Sequence, residues 1–240
     1  MIKEAMEFIL KQAKKTEFHT QYEETYTNVP LNKIEEPTRR ALETKSLSSV
    51  VDFIKDNFDG DVKVLVNVVD EQQVLVQTEL NDNMYRETIL NVEAEVPHKT
   101  LNNYMDLEEF NIQLQSQFVP NEDSEKVLSI IGNLRSENVK NLGDDGITQM
   151  VEVRKGVTMA QDEPVPNPVH LKPFRSFTEI AQPESPFVFR LKQRGDDTVI
   201  GALFEADGGA WKNAARQSIK EYLSKELKAE IKAGSVLVIG

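Results

Sequence analysis

Glu205 and Asp207 lie two residues apart where a β-branched run meets Gly208-Gly209 and the sole tryptophan, Trp211. On a continuous strand, two carboxylates at that spacing point to one side and could hold a divalent cation for hydrolysis. If the strand ends there, Asp207 instead accepts from the N–H groups that open the next helix, and the glycines form the turn. The capping arrangement is the expectation. The helix that follows carries Lys212, Arg216 and Lys220 every four residues, a basic stripe along one side. With the N–H groups of the glycine turn and the positive end of the helix dipole, Gly208, Gly209, Lys212, Arg216 and Lys220 form a candidate site for an anion such as a nucleotide phosphate. The competing reading is a solvated, charge-balanced helix face.

A second constellation is Phe174, Arg175, Phe177 and Arg190, near Phe187 and Phe189. Aromatic rings interleaved with arginine can stack bases of single-stranded nucleic acid. At two-residue spacing in a strand, Phe187 and Phe189 fill a core instead. His19, His98 and His170 each stand alone, and the chain has no cysteine. A thiolate nucleophile, a thiolate zinc site and a disulfide framework are therefore excluded. No GxSxG, P-loop or GxGxxG pattern is present. Accordingly no catalytic residue, metal ligand or cofactor is nominated.

The elements that would position these groups follow from periodicity. Ile2, Met6, Ile9, Leu10 and Ala13 recur at helical spacing, so residues 2–14 read as a helix. Residues 16–46 are polar and read as irregular, with Pro30 and Pro37 as breaks. Ser46 or Ser48 caps a short helix through Val50 and Phe53, ended by Asp59-Gly60. Val62–Val69, Val74–Leu80 and Thr88–Val96 read as a three-stranded antiparallel meander with one covered face. Two helices follow, one beginning at Asp106 and one over Ser124–Arg135. A turn over Asn141–Gly146 leads to a strand over Ile147–Val157. Ala160–Pro168 holds three prolines and reads as an exposed connection. Val169–Leu171, Phe174–Ile180 and Phe187–Lys192 read as strands, and Gly195-Asp196-Asp197 as a turn into another over Thr198–Glu205. A helix over about Gly209–Glu230 and a strand over Ser235–Ile239 complete the pattern. The class is α+β: antiparallel β-sheets with packed helices and a long C-terminal helix. The division expected is an N-terminal helix and linker over 1–27 and one α+β domain over 28–240, with intimate halves of about 28–100 and 101–240.

The chain is 240 residues long, enough to bury a core without covalent staples. Charge is unevenly spread. Residues 51–150 carry twenty acids and seven bases, a net of −13, whereas residues 151–240 are nearly neutral. Duplex DNA is a poor partner for such a surface, because duplex affinity comes from cations that neutralise phosphate. An acidic face suits a basic protein or serves solubility. No signal peptide and no apolar run of membrane length is visible, so the expectation is an intracellular protein, in the bacterial or host cytoplasm, with no membrane contact.

Several separated segments share one order with a known family. They are Leu47-Ser48-Ser49-Val50-Val51-Asp52-Phe53-Ile54, the meander, and Leu107-Glu108-Glu109-Phe110. Then come Gly146-Ile147-Thr148-Gln149, the proline-rich link, Pro173-Phe174-Arg175-Ser176-Phe177, Phe187-Val188-Phe189-Arg190-Leu191 and Leu203–Trp211. Together, over about residues 28–240, they resemble the YfdQ-like family of uncharacterised phage and prophage proteins. The resemblance implies a phage-encoded accessory protein and assigns no site residue. The function expected is non-catalytic: binding to a host or phage protein in host takeover or the replication module, with homo-oligomer formation. The alternatives are a nucleic-acid or nucleotide-binding protein of that module, and a virion or assembly protein.

Overall fold

A computed structural model describes residues 2–13, 16–21, 24–27, 39–57, 60, 63–81, 84–136, 142–144, 149–153, 161–194 and 198–240. The chain divides into two compact units, Met1–Thr38 and Arg39–Gly240. In the first, α1 (Ile2–Ala13) precedes a two-stranded antiparallel hairpin of β1 (Phe18–Gln21) and β2 (Glu24–Thr27). The hairpin departs from the irregular reading of residues 16–46. Alternation of threonine and aromatic side chains through His19-Thr20 and Thr25-Tyr26-Thr27 is a strand signal that the polar composition masks. Lys14, Lys15, Pro30 and Pro37 lie outside the described residues.

The second unit holds β3 (Leu42–Thr44), α2 (Leu47–Asp56), β4 (Val64–Val68), β5 (Gln73–Thr78) and β6 (Thr88–Glu93). Next come β7 (Met105–Asp106), α3 (Leu107–Gln117), β8 (Phe118–Val119) and α4 (Glu122–Ser136). Strands β9 (Leu142–Asp144), β10 (Gln149–Val153), β11 (Gln161–Val165), β12 (Val169–Pro173), β13 (Ser185–Arg194) and β14 (Thr198–Glu205) follow. Helices α5 (Ala210–Glu226) and α6 (Lys228–Ala233) lead to β15 (Val236–Ile239). The α+β class stands. No helix among the described residues is long and apolar enough to cross a membrane.

The meander β4-β5-β6 forms the centre of the first sheet, in the order β15-β4-β5-β6-β3. Both outer strands, β15 and β3, run parallel to their neighbours. Alternation sends Val64, Val66, Val68, Val74 and Val76 to one face, where α2 and α5 cover them with Leu47, Val50, Ile219 and Leu223. Each such fully buried aliphatic side chain contributes about 1.5–3 kcal/mol relative to exposure. A register shift after Val76 lets Ile89 and Leu90 both reach the interior.

The second sheet runs β7-β14-β13-β12-β8 and is antiparallel throughout. Phe187, Phe189 and Leu191 of β13 point to α3 and α4, which supply Phe110, Leu114, Val127 and Ile131. Gly201 of β14 is the close-approach point: a Cβ there would sit 3.1 Å from the Phe110 ring. A smaller antiparallel sheet, β11-β10-β9, lies alongside. Where β12 no longer pairs with β13, the Gln149 amide takes over. It donates to the Leu191 carbonyl at 3.1 Å and accepts from its N–H at 2.9 Å.

Four further expectations need correction. The turn over Asn141–Gly146 gives way to strand β9 over Leu142–Asp144, paired with β10. Ala160–Pro168 is not only a connection, because Gln161–Val165 is strand β11. Pro164 stands opposite Met150 in β11, an outer strand, the place in a sheet where proline is tolerated. Phe174–Ile180 is not a strand. The Gln182 side chain accepts from the N–H groups of Arg175 and Ser176 and donates to the Phe177 carbonyl, replacing a neighbouring strand. The long C-terminal helix breaks at Leu227, whose backbone leaves the helical region and whose side chain is fully buried in the first core. Asp59, Gly146 and the turn Gly195-Asp196-Asp197 lie outside the described residues.

Candidate functional site

Loop 174–184 links the two cores. Phe177 and Ile180 enter the core under the first sheet, while Arg175 stays at the junction with the second. The Arg175 side chain is only 4% exposed. Its guanidinium donates to Glu205 Oε1 at 3.2 Å, the Pro183 carbonyl at 3.2 Å and Ser185 Oγ at 2.7 Å. It lies 3.9 Å from the centre of the Trp211 ring. Its Nε is buried without a hydrogen-bond partner. Burial lowers the Arg175 pKa to about 10, although Glu205, Asp207 and Glu71 pull it upward.

Around this group sit one further ion pair, a lysine bound to two carbonyls, and a helix cap. Lys212 Nζ lies 2.8 Å from Glu71 Oε1, which ties α5 to the β4–β5 turn. The Lys212 ammonium is held above its usual range by that bond. Burial alone would raise the Glu71 carboxyl, but the Lys212 hydrogen bond and charge prevail and hold it below the usual range. Lys99 donates to the carbonyls of Pro97 and Phe174. Burial, then the nearby Arg175 charge, pushes its pKa down. Asp207 accepts from the N–H groups of Gly209 at 3.0 Å and Trp211 at 3.1 Å. It therefore caps α5, and the positive φ of Gly208 and Gly209 makes the turn.

The candidate anion site is thus occupied from within. Gly209 N–H goes to Asp207, Lys212 to Glu71, Arg216 to Asn213 and Lys220 to the Gly240 carbonyl. The nucleic-acid set is dispersed: Arg175 and Phe177 are buried, at 3% and 1% exposure, so neither face is open to a base. Phe174 and Arg190 are half-buried. Glu205 and Asp207 do not converge on a cation, since one pairs with Arg175 and the other caps the helix. Among the described residues no group of three His, Asp or Glu side chains is placed to hold a metal ion. Sequence reasoning found the Asp207 cap and the buried face of Trp211, and singled out Arg175 and Glu205, but for the wrong neighbours. It missed Glu71, Lys99, Gln182 and Ser185, which carry no local spacing signal.

Two concavities lie elsewhere. A cavity of about 460 Å³ opens at the end of the first sheet, with Phe53, Ile54 and Ile89 among its walls and Lys55, Lys63 and Glu230 at its sides. A groove of about 590 Å³ runs between Leu80 and Arg86 on one side and β15 on the other, with Leu65 and Leu237 in its lining.

The helical layer over the second sheet presents the acidic surface. Asp106 caps α3 by accepting from the Glu109 N–H at 2.8 Å. Asp106, Glu108, Glu109, Glu122 and Glu125 are exposed in the first turns of α3 and α4 or just before them, where negative charge favours the helix dipole. Ile112, one turn beyond Glu108 and Glu109, is 56% exposed.

This architecture defines an α+β protein in which the buried Arg175 lies at the junction of the two larger sheets. Comparison with family models, with curated proteins and with solved structures returned no match.

Proposed function

We propose that the chain is a non-catalytic accessory protein that acts by binding another protein, through the helical layer over the second sheet. The observation that carries this reading is Ile112, an exposed large apolar side chain one helical turn from Glu108 and Glu109. An apolar anchor bordered by one sign of charge suits a partner with a small apolar pocket in a basic surface. The order of sequence segments that resembles the YfdQ-like family supports a phage origin, and hence a host or phage partner in the bacterial cytoplasm. The nucleotide- or nucleic-acid-binding alternative ranks lower because its basic and aromatic residues are engaged in the fold. The test is to isolate the partner from infected cells and titrate the purified pair at several salt concentrations. Ile112→Lys should weaken the complex at least about tenfold, as loss of an interface anchor does. Glu109→Lys should weaken it and flatten its salt dependence. Unchanged affinity in both variants would sink the reading.

A further inference from the structure

Among the described residues of Arg39–Gly240, helices cover the first sheet on one face alone. Its other face is laid out in rows by the strand register. One row is Leu237, Leu65, Gln77 and Thr88, and the next is Ile239, Asn67, Leu75 and Asn91. None of these eight side chains is charged; Glu43 of β3 continues the second row and Lys63 pairs with Glu79 beside the first, so the uncharged part of the face is the part nearest β15. Leu237 is 60% exposed and Ile239 38%, and both belong to β15, the outermost strand. Leu65 and Leu75 are half-buried beside them, and Leu80 is 49% exposed across the groove. The apolar corner of this face therefore coincides with a sheet edge.

That edge lacks the usual protection. Val236-Leu237-Val238-Ile239 contains no proline, lysine or acid, the devices that normally keep an outer strand from pairing. Val64 N–H donates to the Ser235 carbonyl, so alternation turns Ser235, Leu237 and Ile239 toward β4. The N–H and C=O groups of Val236 and Val238 then face away from the sheet.

We propose that β15 and the adjoining uncharged face form the contact with a second copy of this chain, by antiparallel pairing of the two β15 strands about a two-fold axis. Residues with outward-facing backbone groups pair with each other; with Val238 opposite Val238, Leu237 of one copy lies beside Ile239 of the other. The two apolar corners then merge on one side of a continuous sheet. Charge selects the occupant. Copies of a chain with net charge −12 repel, so they meet best where neither presents a carboxylate. A basic protein would instead be drawn to the acidic helices. Such an interface is isologous and closes at two subunits.

Sedimentation equilibrium across the micromolar range, at low and high salt, tests this. The expected mass is twice the 27.2 kDa of one chain, with association strengthening as salt screens the repulsion. Leu237→Lys leaves the inward side of β15 intact and should give a monomer with an unchanged circular dichroism spectrum. Ile239→Lys provides a second variant should the first fail to fold. Ile112→Lys should leave the dimer intact, which separates this contact from the surface proposed for the heterologous partner. A wild-type monomer at all concentrations, or a dimer that survives both lysine substitutions in β15, overturns the proposal.

Discussion

The Arg175 guanidinium stacks 3.9 Å from the Trp211 ring centre, joining the loop after β12 to the first turn of α5. The same cation bonds Glu205 at the end of β14 and Ser185 at the start of β13. One side chain thus fixes where the second sheet ends and where the helix covering the first sheet begins. Its burial is expensive, as the lowered pKa shows, and three hydrogen bonds with an aromatic face offset that cost.

Arg175→Ala should therefore destabilise the fold by about 3–5 kcal/mol, because it leaves Glu205 without its cation and opens a cavity against Trp211. The chain has one tryptophan, so its fluorescence reports on the surroundings of this one ring. A red-shifted emission maximum in Arg175→Ala, together with a lower denaturation midpoint, is the expected outcome. Unchanged emission would mean that the stack does not persist in solution.

Asp207→Ala should cost about 1 kcal/mol, the usual loss on removing a helix cap. The Gly209 and Trp211 N–H groups then have no carboxylate to donate to. Asp207→Asn should recover part of the loss because the amide oxygen still accepts. Urea titration of the three proteins checks the order.

Acid should weaken the contact between α4 and β12. The His170 N–H, and after it Lys126, holds Asp123 below the usual aspartate range. A carboxyl depressed in the folded state contributes stability that is fully present above its unfolded pKa, near 3.8. That contribution disappears as pH falls through the folded value. Asp123→Asn should be less stable than wild type at neutral pH, with the gap closing as the solution becomes strongly acidic. Parallel stability curves across that range would contradict it.

Gly201→Val should lower stability by about 1–3 kcal/mol through overpacking against Phe110. The Cβ position is already 3.1 Å from that ring and 3.5 Å from Leu107. Phe110→Leu in the same chain should recover part of the loss by making room. Thermal unfolding of the single and double variants measures the coupling.

The α+β class, the meander, the α3 and α4 region and the Asp207 cap were legible in the sequence because each depends on neighbours within a few residues. Alternation of valines sets a strand, and an acid before Gly208-Gly209 sets a helix start. The Phe174–Ile180 segment has strand composition, yet it is a loop because Gln182 satisfies its backbone and Phe177 is drawn into the opposite core. The basic stripe looked available for an anion, but Lys212 is taken by Glu71 and Lys220 by the Gly240 carbonyl. Which cation meets which acid depends on separations such as that from Glu71 to Lys212, and no local pattern encodes them. The sequence by itself determined which segments have an apolar side. Only the tertiary structure decided which of those sides are covered, because burial depends on what the rest of the chain brings against them. It buried Arg175 and left Leu237 and Ile112 exposed.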